Sequence, residues 1–212
     1  SKNRNDLNTY YEVGKLLIEA QGGEDRAKYG DGLIKEYSER LYNELGKKYD
    51  ITTLKRYRQF YLKIEKGAAL RHQLSWTHYR ELLTLDNINE LNYYVEITIE
   101  QNLSYRQLRE KIKTKEYQRL DNNTKLKLIN KEKLDIKDNI KNPIVIHNKN
   151  NLDKENISEK VLQRLILEDI PSFLKELGTG FSFIENEYKI KIGNTYNYID
   201  LLLFNIKYNC YE

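Results

Sequence analysis

The stretch Tyr198–Phe204 has the sequence YIDLLLF and sets one carboxylate, that of Asp200, inside a nearly continuous apolar run. Upstream, residues 188–192 alternate between apolar and charged side chains, which is the period-two pattern of a half-buried strand. Between the two segments, Gly193–Asn194 is a turn signal. The sequence of Phe181–Glu212 therefore predicts a β-hairpin whose second strand runs into the core.

Asp200 is costly to bury in such a strand unless its carboxylate is paired, hydrogen-bonded or bound to a metal. One interpretation makes it a metal ligand. The other makes it a buried structural acid, satisfied by backbone N–H groups or by a neighbouring lysine or tyrosine. The residues alone leave both interpretations open.

The composition bounds the class of protein. A length of 212 residues fits one large or two small domains, and 39% hydrophobic with 32% charged residues is ordinary for a soluble globular protein. No apolar run approaches the roughly 18 to 20 residues that span a bilayer, and no signal-like segment opens the chain. We therefore expect a cytoplasmic protein with no membrane contact. The single cysteine, Cys210, excludes an internal disulfide and indicates no zinc site. Because the net charge is only +4, a nucleic-acid partner would have to be bound through local patches.

Helical spacing of apolar residues dominates the first half of the chain. A first helix ends at Gly22–Gly23, and a second, with Asp31 as its N-cap, closes near Gly46. A third helix follows, capped by Thr52 or Thr53, and carries basic side chains beside an apolar face. These elements predict a helix-turn-helix arrangement in which the third helix contacts nucleic acid.

Basic residues on two helices are the candidate nucleic-acid contacts. Between Ile51 and His72 there are six Lys or Arg residues against one Glu. A capping box of Ser104 and Gln107 predicts a further basic helix, Tyr105–Tyr117. Contacts to phosphate add affinity through counterion release. The candidates are Lys55, Arg56, Arg58, Gln59, Lys63, Arg106, Arg109 and Lys113. The alternative is a solvated basic face on core helices, which a Lys-rich and Asn-rich sequence produces by composition alone.

Three residues near the middle of the chain carry separate expectations. Trp76 and Tyr79 stand at helical spacing with leucines, which favours core or interface aromatics over base-stacking platforms. His78 either orients a phosphate or completes a hydrogen-bond network. It has no Cys or second His near it in sequence, so metal ligation is the weakest of its possible roles.

The composition of the chain changes at residue 121. Asn, Lys and Asp dominate residues 121–156, which predicts an interdomain linker that is part helical and part extended. A helix is predicted over Ile157–Leu177. Because Pro171 lies inside that helix, we expect a kink or a break at Asp169 or Ile170.

Two parts of this sequence resemble a known family. The box Gln73–Tyr79, which reads QLSWTHY, is similar, with the basic helix before it, to the N-terminal helical domain of the bacterial DUF1016 (YhcG-like) proteins. The segments Phe181–Glu185, Tyr196–Phe204 and Asn209–Tyr211 resemble the start of the nuclease domain in the same proteins. That domain is a branch of the PD-(D/E)xK, restriction-endonuclease-like superfamily.

The resemblance implies an α+β protein in two domains. An α-helical, helix-turn-helix-like domain that binds DNA would occupy residues 1–120, and the linker residues 121–156. The front part of a restriction-endonuclease-like α/β domain would occupy residues 157–212. The implied function is metal-dependent cleavage of DNA, with the helical domain delivering the substrate.

The resemblance also implies roles for individual acids. Asp200 would be the catalytic residue and principal metal ligand, for Mg²⁺ or Mn²⁺. Glu168 is the candidate for a second ligand from the preceding helix, with a surface acid as its alternative. Glu185 and Glu187 are second-tier candidates. Such ions prefer carboxylate oxygens and activate water for phosphodiester hydrolysis.

One part of the family pattern is missing from this sequence. In the family, the strand that begins with Cys210–Tyr211 continues into a Glu-x-Lys, whose Glu ligates the metal and whose Lys assists the attacking water. Here no lysine follows Glu212. The expectation is thus a truncated or incomplete site that is inactive in this chain.

Two other functions stay open. The first is a non-enzymatic nucleic-acid-binding or protein-interaction module, and the second, weaker alternative has RNA as the substrate instead of DNA. The predicted hairpin would also expose a sheet edge, so that pairing into a homo-oligomer is a further expectation.

Overall fold

The computed structural model describes residues 2–23, 31–45, 49–142, 144, 158–178 and 180–212. The chain divides into two compact units, residues 1–113 and 114–212. In its described part the first unit is helical. Its helices are α1 (Lys2–Ala20), α2 (Asp31–Leu45), α3 (Ile51–Glu65), α4 (Trp76–Leu82), α5 (Ile88–Glu100) and α6 (Tyr105–Lys113).

The packing of α1 on α3 organises the first unit. A Cβ atom at Gly14 of α1 would lie 2.2 Å from the carbonyl oxygen of Tyr57 and 2.8 Å from the Cβ of Tyr61. The two helices approach this closely because Gly14 has no side chain. Beside this contact the rings of Tyr10 and Tyr57 stack with their centroids 4.5 Å apart. The ring of Trp76 lies 4.9 Å from that of Tyr10, so the prediction that Trp76 is a core aromatic is confirmed.

Local capping sets the start of α3. The side chain of Asp50 accepts a hydrogen bond from the N–H of Thr53 at 2.7 Å, and the helix begins at Ile51. The cap predicted at Thr52 or Thr53 was wrong because the Asp50 carboxylate, an equally good acceptor, stands earlier in the chain.

The capping box that begins α6 is confirmed. Ser104 donates its N–H to Oε1 of Gln107 at 2.8 Å, and the Gln107 N–H donates to the Ser104 hydroxyl at 3.4 Å. The helix ends at Lys113, earlier than predicted, and Lys115 takes a positive φ of 53°. The next side chain, Glu116, is buried.

The second unit combines helices with a sheet in its described part. Its elements are α7 (Asn122–Asn130), a short 3-10 helix (Ile136–Asn139), α8 (Glu159–Glu168), α9 (Ile170–Leu177), β1 (Phe181–Ile192), β2 (Thr195–Asn205) and β3 (Cys210–Tyr211). The strands are antiparallel and lie in the order β1-β2-β3. The predicted α+β class is therefore confirmed. No helix in the described ranges is long and apolar enough to cross a bilayer.

Residues 121–142 are folded into the second unit. Lys141 is buried, donates to the carbonyl oxygen of Glu176 at 2.5 Å, and forms an ion pair with Glu116 at 3.6 Å. Here the structure differs from the linker predicted over 121–156, because charged side chains that indicate solvent exposure in sequence are paired inside the unit. Most of the remaining predicted linker lies outside the described residues.

The predicted break in the C-terminal helical segment is confirmed at Asp169. This residue ends α8, and its carboxylate accepts a hydrogen bond from the N–H of Ser172 at 3.3 Å, so it also caps α9. Pro171 stands in the first turn of α9, where its missing N–H leaves no bond unmade. The predicted start at Ile157 lies outside the described residues.

The predicted β-hairpin is formed by β1 and β2. Its turn is two residues long, between the paired Ile192 and Thr195, and Gly193 has a φ of 61°. The first half of β2 is exposed, whereas Leu202 and Leu203 are only 8% exposed. The strand thus runs from solvent into the core along its length.

The pairing of β1 with β2 contains one irregularity. Phe183 pairs with Leu203, whereas Glu185 pairs with the adjacent Leu202. Ile184 is therefore an extra residue on β1, which makes a β-bulge. Pairs on both sides of this bulge fix which side chains share a face of the hairpin.

Candidate functional site

Asp200 lies on the exposed part of β2. The residue is exposed to solvent, and its carboxylate has no hydrogen-bond or ion-pair partner in the part of the chain that the structure describes. The interpretation of Asp200 as a buried, satisfied acid was wrong, because burial begins only beyond it, at Leu202 and Leu203. Asp200 is therefore an open carboxylate that is able to accept a cation.

Two lysines and two tyrosines are among the side chains that share the face of the hairpin that carries Asp200. Lys189 pairs across the strands with Tyr198, and Lys191 pairs with Tyr196; alternate residues of β2 point to one side. We call Lys189, Lys191, Tyr196 and Tyr198 the hairpin face. The Nζ atoms of Lys189 and Lys191 lie 4.0 and 5.8 Å from the ring centroid of Tyr196. Positive charge and exposed aromatic rings are thus combined beside an open carboxylate.

Two acids of β1 lie near the level of Asp200. Glu185 pairs with Leu202, which places it on the face of Asp200. Glu187 lies between the neighbouring pairs at the level of Asp200 and has a φ of 54°, which is uncommon for a residue other than glycine. Both residues are exposed. Within the described ranges, however, no three His, Cys, Asp or Glu side chains form a group that could hold a metal ion.

Glu168 is the last residue of α8. It is exposed, and it accepts a hydrogen bond from Nε of Arg164, one helical turn earlier, at 2.9 Å. Such a pair is typical of an exposed helix flank. To bind a metal ion, Glu168 would have to exchange this pair for the cation.

The oxygen donors of this region fit a hard divalent cation in kind but form only part of a site. Mg²⁺ is usually bound through one or two carboxylates together with water and the phosphates of a substrate. Asp200 supplies one unpaired carboxylate of this type. A phosphate group and water would supply the remaining ligands.

Two of the candidates on α3 hold the segment after α4 in place. Nε2 of Gln59 donates to the carbonyl oxygen of Leu83 at 2.8 Å. Nζ of Lys63 donates to the carbonyl oxygen of Leu85, and only 12% of the Lys63 side chain is exposed. Both side chains therefore make hydrogen bonds within the helical unit.

The other candidates on α3 stand nearer its beginning. Lys55 is exposed and Arg56 is half-buried. Nη1 of Arg58 donates to Oε1 of Gln21 at 3.4 Å, which links α3 to the end of α1. The accessible charge of α3 thus lies in its first half. The polar side chains of the second half make hydrogen bonds that hold the unit together.

The candidates on α6 are divided in the same way. Arg109 forms two hydrogen bonds with Glu81, Nε to Oε2 at 3.0 Å and Nη2 to Oε1 at 2.7 Å, and joins α6 to α4. The hydrogen bond from Arg109 lowers the pKa of Glu81 from its ordinary value. Lys113 pairs at 3.0 Å with Glu110 of its own helix, and Arg106 is exposed.

His78 completes the capping box of α4. Its Nδ1 accepts a hydrogen bond from the N–H of Ser75 at 3.2 Å, and its Nε2 bonds to the carbonyl oxygen of Leu103 at 3.0 Å. Because a carbonyl oxygen only accepts, Nε2 carries the proton. The hydrogen-bond interpretation of His78 is confirmed. Tyr79, predicted as a core aromatic, donates to the carbonyl oxygen of Ala69 at 3.1 Å, and burial raises its pKa to about 12.

The hairpin face was missed from the sequence. Alternation predicts which residues of one strand share a side, but the partners on the next strand depend on the register. The signal that could have found them is the two-residue turn Gly193–Asn194. A turn of that length pairs Ile192 with Thr195, and the pairs Lys191–Tyr196 and Lys189–Tyr198 follow from it by counting.

Comparison with known proteins gives matches along most of the chain. Residues 1–119 match the family described as the DUF1016 N-terminal domain, and residues 137–212 match the YhcG PDDEXK nuclease domain. An Escherichia coli (strain K12) protein with the name "Putative nuclease YhcG" is 25% identical over 241 residues. That alignment covers 95% of this chain and 64% of the relative, so the chain spans less than two thirds of the relative's length. No solved structure matches the chain.

Proposed function

The chain belongs to the DUF1016 (YhcG-like) family of PDDEXK nuclease proteins, and on that premise we propose that the natural full-length protein cleaves DNA by metal-dependent hydrolysis of phosphodiester bonds. The observation that carries the proposal is Asp200, an exposed carboxylate without a partner in the described ranges, inside the matched nuclease domain. An open carboxylate on a rigid strand is what a metal-assisted hydrolase needs in order to fix an ion against a phosphate.

Asp200 is the proposed catalytic residue and principal ligand of Mg²⁺ or Mn²⁺, and Glu168 is the proposed second ligand. Such an ion, when bound, makes water nucleophilic and stabilises charge on the phosphate. The paired strands β1 and β2 hold the carboxylate of Asp200 in position. Arg164, which now bonds to Glu168, would neutralise that acid until the ion arrives.

The helical unit is proposed to deliver DNA to this site. The candidates that are accessible for phosphate contact are Lys55, Arg56, Arg106 and Lys113. The candidates proposed to hold the helices in position are Arg58, Gln59, Lys63 and Arg109. Phosphate contacts of the first set would bind DNA without selecting a sequence.

A DNA substrate also favours a cytoplasmic location. The outer edge of β1 is the proposed surface for a homo-oligomer.

The test is cleavage of supercoiled plasmid and branched DNA by the natural full-length protein with Mg²⁺ or Mn²⁺. We expect Asp200→Asn to lower the cleavage rate by at least about 100-fold, the order lost when a group that stabilises transition-state charge is removed. Binding of Mn²⁺, followed by the loss of its electron paramagnetic resonance signal, should weaken in the same variant. Glu159→Gln, at the exposed start of α8, is the matched control and should change neither quantity.

Cleavage that survives Asp200→Asn would refute the role of Asp200. If the wild-type protein shows no cleavage with either ion, the nuclease proposal itself fails. Far-ultraviolet circular dichroism of each variant separates these outcomes from misfolding.

A second candidate function is a binding module that does not cleave. It is favoured by the exposed basic side chains of the helical unit, such as Lys55 and Arg106, which would contact phosphates without a metal ion. In that case DNA binding would depend steeply on salt concentration, as phosphate contacts require, while plasmid and branched DNA stay intact with both metal ions.

A further inference from the structure

The hairpin face presents an aromatic ring that the fold does not use. Tyr198 is 63% exposed, and its ring has no stacking partner among the residues that the structure describes. A flat, exposed ring on a paired strand is a rigid platform, since a tyrosine has few rotatable bonds to fix on binding. Aromatic side chains of this kind stack on the bases of single-stranded nucleic acids, whatever the base.

The same face carries cations that the fold leaves uncompensated. Lys189 and Lys191 have no carboxylate partner among the described residues, and their contacts are with the ring of Tyr196. The ring therefore supports two ammonium groups at the surface while leaving their charge available. Two ammonium groups beside an exposed aromatic ring are complementary to a phosphate backbone with unstacked bases.

The spacing between Tyr198 and Asp200 places the exposed ring next to the proposed catalytic carboxylate. The two residues are separated by one position on β2 and share a face, so their Cα atoms lie ~7 Å apart along the strand. That separation is comparable with the distance between neighbouring phosphates of an extended strand. A base stacked on Tyr198 would therefore leave an adjacent phosphate within reach of Asp200.

We propose that the hairpin face binds a single-stranded segment of the DNA substrate, with one base stacked on Tyr198 and the flanking phosphates held by Lys189 and Lys191. The proposal rests on the proposed function and deepens it, because it names unpaired DNA next to the cleaved bond as the preferred substrate. Base-paired DNA fits this face less well, since its bases are not free to stack on a side chain.

The test measures binding of a fluorescent 15-nucleotide oligothymidine to the full-length protein in EDTA, by fluorescence anisotropy. Tyr198→Ala should raise the Kd at least about fivefold, which corresponds to the lower end of the binding free energy that one stacked base contributes. Tyr198→Phe keeps the ring and should restore affinity to within about twofold. The matched control is Tyr188→Ala, a tyrosine on the opposite face of the hairpin with 39% exposure, and it should leave the Kd unchanged.

The two lysines have a separate readout. The double variant with Lys189→Gln and Lys191→Gln should make the slope of log binding constant against log salt concentration shallower by about 1.4, since each phosphate contact to a single strand contributes about 0.7. Photocrosslinking with 5-iodouracil in the oligonucleotide locates the contact directly. The expected crosslinked residue, identified by mass spectrometry, is Tyr198.

Three results would overturn the proposal. These are equal weakening by Tyr188→Ala and Tyr198→Ala, crosslinks confined to the helical unit, or loss of self-association in Tyr198→Ala with the oligonucleotide Kd unchanged. The last result would make the face a contact between two copies of the chain. Because every measurement is made without metal, failure of cleavage and failure of this binding surface are distinguishable.

Discussion

Helix α3 and the β1–β2 hairpin are both rich in polar side chains, but the fold uses those side chains in opposite ways. On α3, Gln59 and Lys63 donate to backbone carbonyls of the same unit, and little of Lys63 remains exposed. On the hairpin, Lys189 contacts an aromatic ring and Asp200 contacts no partner in the described ranges.

The difference shows that a count of basic residues does not locate a binding surface. An N–H that already donates to a carbonyl oxygen is unavailable to a phosphate, because exchanging it would leave the carbonyl without a partner. The informative quantity is the number of charged groups that remain unpaired after folding. By that measure the hairpin, with a modest net charge, offers more to a ligand than the second half of α3.

The largest expected effect lies in the second unit, where buried charges contrast with those of the hairpin. Arg119 and Glu176 form an ion pair whose side chains are 9% and 8% exposed. Glu176→Gln should lower the free energy of unfolding by about 3–5 kcal/mol, because it removes the carboxylate that forms the ion pair with the buried Arg119. Urea unfolding followed by circular dichroism measures the loss. The comparison variant is Glu168→Gln, which removes an exposed pair with Arg164 and should cost less than about 1 kcal/mol; similar losses in both would contradict the contrast.

A direct test of the comparison exchanges the same residue type in the two regions. Lys63→Met keeps the apolar stem but leaves the carbonyl of Leu85 without its donor, so we expect a loss of about 1–3 kcal/mol in unfolding free energy. Lys189→Met should change stability by less than about 0.5 kcal/mol and should weaken oligonucleotide binding instead. Chemical denaturation and anisotropy on both variants give the full comparison. An unchanged stability for Lys63→Met would show that its contact is incidental.

The smallest expected effect concerns the pair of Glu81 with Arg109. Because Arg109 lowers the pKa of Glu81 in the folded protein, the ionised acid stabilises the fold at all pH values above its unfolded pKa. That stabilisation is lost as the pH falls through the lowered folded pKa. The melting temperature of Glu81→Gln should therefore lie below that of the wild type at pH 7, and the gap should narrow in acid below pH 4.5, the ordinary value. Glu44→Gln, an exposed acid of α2, serves as the control, and a gap that stays constant with pH would argue against the pair.

Local signals in the sequence predicted much of the architecture. The break at Asp169, the capping box at Ser104 and the hairpin turn at Gly193 are each set by a few neighbouring residues, and each is confirmed. The family resemblance also rests on contiguous motifs, and the domain bounds that it implies stay predictions. The nucleic-acid residues and the metal ligands stay predictions.

What the sequence could not supply are contacts between distant residues. Lys141 belongs to a segment that composition marks as solvated, yet its charge is paired with Glu116 inside the second unit. Likewise, the apolar environment of Asp200 in sequence predicts burial, although in the structure the strand reaches the core only after it. In both cases the environment of the side chain depends on how distant elements pack together. Sequence patterns predict the elements but not their packing.

The bulge in β1 bears on how the length of this protein can vary. Since Phe183 and Glu185 pair with adjacent residues of β2, Ile184 fills a position that the ladder does not need. Deleting Ile184 would leave every other side chain of β1 on its present face, whereas deleting Lys189 would move the residues on one side of the gap to the opposite face. The strand therefore contains one residue that the pairing does not require. Naturally shortened or engineered versions should lack Ile184 before any other residue of the hairpin.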